Sequence, residues 1–160
     1  MVDLPSYSRK FRVPHDIAHA VTERELGMSQ GVFGSIAAGA VFENMRVVSG
    51  RPRHDARAIS ARVLRANARA LAAAEALSGV LHHAVEDRGP TPRELLREAW
   101  GVISAEPFPW TDAEVTSATD VLREFDERWC ALAADGTLDF DWPRRLIRSG
   151  RVSSRRPRSA

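Results

Sequence analysis

Residues 55–87 read DARAISARVLRANARALAAAEALSGVLHHAVED. Ile59, Val63, Ala66, Ala70, Ala73, Leu77 and Leu81 recur every three or four positions, the spacing of one apolar stripe along an α-helix. No proline interrupts the run, and Gly79 alone among these residues is a type that loosens or bends a helical turn. Arg62, Arg65 and Arg69 share another face, which suits solvent better than a bound phosphate. A helix this long must bury its stripe against neighbours, so the flanking sequence is read as a set of packing partners.

Downstream, DRGPTPRE (87–94) breaks the chain. Thr91 and Glu94 have capping-box spacing, with Pro92 at the first helical position. Leu95, Leu96, Ala99, Trp100 and Ile103 form the buried stripe expected of that helix, and AEPFPW (105–110) ends it. Thr111 and Glu114 repeat the capping-box spacing and open a further helix that buries Val115, Ala118, Leu122, Phe125, Trp129 and Leu132, closed by Gly136. TLDFDW (137–142) alternates in the manner of a short strand, with KFRV (10–13) as its nearest partner. Upstream, Pro14 and Gly27 bracket a first helix over 14–26. VFGSIAAGAVFENM (32–45) reads as a second helix. Gly31, Gly34 and Gly39 are tolerable there where another backbone or a ligand comes close. The expected fold is all-α: a bundle of about five helices, with at most a short two-stranded ribbon joining the N-terminal and C-terminal segments.

Bulk properties narrow the function. The 160 residues suit one domain, divided as a helical body over 1–143 and a basic, disordered tail over 144–160. The tail holds seven arginines and no acid, leaving the body with 16 basic against 21 acidic residues. It suits an acidic partner or serves as a solubiliser. No transmembrane run and no secretory leader are evident. The lone Cys130 excludes an internal disulfide, fits a cytoplasmic protein and is expected to pack as a small hydrophobe. Nucleic acid is not an expected partner, since basic and aromatic residues do not interleave and no pair of short helices suits a DNA groove.

The chemistry gathers in the first helix, VPHDIAHAVTERELG (13–27). At 100° per residue, His15, His19, Glu23 and Asp16 fall at about 0°, 40°, 80° and 100°, on one arc. Imidazoles four apart converge as in the zinc helices of metalloproteases, and carboxylates complete a nitrogen–oxygen set for a borderline divalent ion. His15, Asp16, His19 and Glu23 are therefore the expected ligands, with zinc the expected ion. Asp16 or Glu23 is the expected proton acceptor on a bound water. Alternatively, one of these carboxylates orients an imidazole from behind. One helix seldom fills a coordination sphere, so a ligand from elsewhere is needed, with His54, His82, His83 and Glu86 the available donors.

Residues 13–40 resemble a family of uncharacterised bacterial proteins in which a PHDLxHxxVE helix precedes LG, GFFG or GFWG and an Ala/Gly-rich helix. The shared pieces are His15-Asp16, His19, Glu23, Leu26-Gly27, Gly31, Phe33-Gly34 and Ala37. This likeness implies a common site without naming its activity. The HDxxH core is also similar to the zinc motif of a ubiquinone-biosynthesis family, onto whose first three signature residues His15, Asp16 and His19 map. That family's following glutamate is replaced here by Gly31, with Glu23 and Glu43 the nearest substitutes. These readings point to a metal-dependent hydrolase acting on a small molecule, with the second helix walling its pocket. The alternatives are a non-catalytic regulatory or interaction module and a lipid or quinone handling protein.

Overall fold

The computed structural model describes residues 2–3, 11–42, 45–47, 54–133 and 136–147. Among these residues six helices pack together: α1 (His15–Glu25), α2 (Val32–Ala37), α3 (Ala56–Ala66), α4 (Ala68–Glu86), α5 (Arg93–Ile103) and α6 (Asp112–Cys130). A short 3-10 turn, Arg144–Leu146, follows, with Leu146 buried. Residues 148–160, most of the expected tail, lie outside the described residues, as does Glu43. No helix is long and apolar enough to cross a membrane among the described residues.

Helix α1 ends as its sequence dictates. Gly27 takes φ +68°, and Gly27 N–H and Met28 N–H donate to Arg24 O and Glu23 O at 3.3 and 2.7 Å, a Schellman closure. Gly39 (φ +101°) closes α2 in the same way, so the expected helix over 32–45 stops at Ala37. The long helix expected over 55–87 divides at Asn67 rather than bending at Gly79. Asn67 donates to Ser35 Oγ and accepts from Gln30 Nε2, both at 3.0 Å, which draws that turn onto α2 and its preceding loop.

The core joins Ala18 and Val21 of α1, Leu77, Leu81 and Val85 of α4, Leu96 of α5 and Val115, Ala118, Leu122 and Phe125 of α6. Leu95, expected to be buried, is 56% exposed, because Leu96 alone of the pair faces the core. Cys130 is likewise exposed, with its Sγ 3.3 Å from Asp126 Oδ1.

The expected ribbon between 10–13 and 137–142 does not form, and residues 137–142 contain no strand. Val13 has no backbone group left for a ladder, since its N–H donates to Glu86 Oε1 and its carbonyl accepts from His82 Nε2, each at 2.9 Å. Arg12 pairs with Asp126 at 2.7 Å. Phe140 and Trp142 instead set their rings beside Phe33. A two-residue antiparallel contact, β1 (Val2–Asp3) with β2 (Arg46–Val47), is too short to make a layer. The clamp on Val13 fixes where α1 begins and how His15 meets α4.

Candidate metal centre

Helices α1 and α4 bring together a trio that only partly matches the sequence expectation. His15 and His19 face Glu75, and one ligand atom from each residue lies within 4.8 Å of the others. The Glu75 carboxylate spans both imidazoles: Oε1 is 3.5 Å from His15 Nε2, and Oε2 is 3.1 Å from His19 Nε2. These three residues can hold a metal ion.

The geometry suits an ion better than a proton between the groups. His19 is 2% exposed, yet among the described residues its Nε2 has no hydrogen-bond partner despite lying 3.1 Å from Glu75 Oε2. The approach is close enough for a hydrogen bond but misaligned for one. Two ligands at about 2.0–2.2 Å from a tetrahedral zinc lie about 3.3–3.5 Å apart, near the 3.5 and 3.1 Å separations, which run to different oxygens of Glu75. The side chains of His15 and Glu75 are 49% and 65% exposed, so the trio opens to solvent on one side. Partial burial, then the nearby His19, lower the pKa of His15 below the ordinary imidazole value, against the opposing pull of Glu75. That direction favours the neutral ring that a metal requires.

Glu23 has a different place. Its carboxylate is fully buried and accepts from the amides of Val32 (2.7 Å), Phe33 (2.9 Å) and Gly34 (3.4 Å) at the start of α2. Its Oε1 also lies 3.3 Å from His19 Nδ1. A carboxylate is an acceptor, so in this contact Nδ1–H is the donor, and in the tautomer that makes it the Nε2 lone pair faces Glu75. A Cβ at Gly31 would fall 2.4 Å from the Glu23 carboxyl carbon, so a side chain there would displace the carboxylate from its seat. At Gly34 a Cβ would fall 2.2 Å from Ser29 O. Thus Glu23, Gly31 and Gly34 of the sequence motif form one device that seats α2 against α1.

Asp16 is exposed on the first turn of α1 and is not a member of the trio. Nor are the other donors considered from sequence. His82 Nε2 donates to Val13 O, Glu86 accepts from Val13 N–H, and His54 and His83 are exposed elsewhere. Glu75 was missed in the sequence reading because it lies within an alanine-rich helix that reads as plain core. Its signal was isolation: it is the sole acidic residue between positions 56 and 85. A cleft of about 360 Å³ lies elsewhere, lined by Gln30, Arg69, Ala73, Trp100 and Ser104 among others, with no residue of α2 in its wall.

Comparison with known protein families, curated proteins and solved structures yields no match.

Proposed function

We propose that this protein binds one divalent ion, zinc, through His15, His19 and Glu75, and uses it for metal-assisted hydrolysis of a small molecule. The unpartnered, buried His19 Nε2 facing the Glu75 carboxylate carries this reading. Two imidazoles and one carboxylate are a borderline nitrogen–oxygen set, and three protein ligands leave a coordination position for water, as in catalytic rather than structural zinc sites. An ion held there would be open to a substrate from the solvent side, since His15 and Glu75 are half-exposed or more. Zinc lowers the pKa of its bound water and polarises a substrate carbonyl or phosphoryl oxygen. Glu23 is committed to the α2 amides, which leaves Asp16, exposed next to His15 in sequence, as the proton acceptor in this scheme.

Metal analysis of the purified chain tests the reading. About one equivalent of zinc is expected in the wild type, lost in His15→Ala, His19→Ala and Glu75→Ala, and kept in Asp16→Asn. Turnover of p-nitrophenyl esters or phosphates should need both the metal and Asp16. Zinc retained undiminished in both His19→Ala and Glu75→Ala would refute the assignment.

A further inference from the structure

Resting on the metal centre proposed above, we infer that Glu23 is a positioning residue that couples ion binding at His19 to the seating of helix α2. One fully buried carboxylate joins the two. Oε1 meets both His19 Nδ1 (3.3 Å) and Val32 N–H (2.7 Å), while Oε2 takes Phe33 N–H (2.9 Å) and Gly34 N–H (3.4 Å). Among the described residues no other side chain is hydrogen-bonded to the His19 ring, so Glu23 favours the tautomer that offers Nε2 to an ion, against the Glu75 carboxylate 3.1 Å from Nε2.

An ion on Nε2 draws electron density from the ring and makes Nδ1–H a stronger donor to Glu23. The carboxylate is then held more firmly in the position from which it accepts the α2 amides. Reciprocity follows: whatever holds α2 in place strengthens ion binding, and loosening α2 weakens it by the same factor. The carboxylate occupies the space a Cβ at Gly31 would take, so it sits directly against the backbone that leads into α2. The ion is thereby a regulator of the loop and helix over 31–37 as well as a reagent.

Zinc titration of the full chain, followed by amide hydrogen exchange and by nitrogen NMR of the His19 ring, tests the coupling. Exchange at Val32, Phe33 and Gly34 should slow by a factor of about 5 or more on zinc binding. Glu23→Gln, which can still accept from amides but presents no second acceptor oxygen, should bind zinc about 10–100-fold more weakly. In the zinc-free wild type the ring should carry its proton on Nδ1, and in Glu23→Gln that preference should fall. Zinc bound through His19 with the 32–34 amides unchanged would overturn the coupling and leave the metal centre standing. Failure of the wild type to take up zinc would overturn both. The wild-type exchange experiment decides the matter even if Glu23→Gln does not fold.

Discussion

Helix α4 has two inward sides of opposite chemistry. One carries Leu77, Leu81 and Val85 into an apolar core shared with α1, α5 and α6. The other carries Glu75, Ser78 and His82 at three- and four-residue spacing, with Glu75 against His19 and His82 against Val13. The first side gains free energy simply by leaving water, at about 25 cal/mol per Å² of apolar surface. The second buries the Ser78 hydroxyl and the His82 imidazole and faces the buried His19 of α1, and the free energy lost in desolvating such groups is recovered only where each finds a partner. Among the described residues, Ser78 Oγ and, on α1, His19 Nε2 and Thr22 Oγ1 are buried without one. An apolar side explains itself through stability, whereas an incompletely satisfied polar side points to a ligand.

The largest effect should come from the apolar side. Leu81→Ala, at a fully buried position, should lower unfolding free energy by about 2–5 kcal/mol in urea titrations while the folded fraction still binds zinc. Loss of zinc binding from molecules that remain folded would show that the two sides are not separable. Ser78→Ala on the polar side of α4 and Thr22→Val on α1 should leave stability unchanged or raise it by up to about 1 kcal/mol, because each removes a buried hydroxyl without a partner among the described residues. A destabilisation larger than that would mean the hydroxyls are satisfied and the contrast is weaker than drawn here.

The smallest effect lies away from both sides, at the start of α6. Backbone N–H and hydroxyl bonds from Thr111 lower the pKa of Glu114 below the ordinary carboxyl value. The unfolded chain therefore binds a proton more readily than the folded one. The capping contribution is present above the ordinary carboxyl pKa and is lost as pH falls through the lower folded value. Glu114→Gln should flatten the acid limb of the melting-temperature profile below about pH 4.5. An acid limb identical to the wild type would show that this box is mere surface decoration.

Much of the fold was legible because its signals are local. Pro14 and Gly27 bound α1, and the Thr111–Glu114 box forms as written. The same spacing at Thr91–Glu94 fails, since Glu94 bonds Arg97 at 2.7 Å and Pro92 occupies the cap. The division at Asn67 was not legible, because it depends on Gln30 and Ser35, more than thirty residues away. The candidate site shows the same limit. Helical spacing placed His15 and His19 on one face, but only tertiary packing brings Glu75 to them. Spacing alone also could not reveal that Glu23 is spent on the amides of Val32, Phe33 and Gly34. Local periodicity finds which side chains share a face, whereas the identity of what that face meets is a long-range property.

Anomalous diffraction at the zinc edge from zinc-soaked crystals tests the central claim most directly. One strong peak is expected about 2.0–2.2 Å from His19 Nε2 and a Glu75 oxygen, with His15 completing the protein ligands. Full zinc loading with no peak between α1 and α4, and His19 Nε2–H donating straight to Glu75, would contradict it.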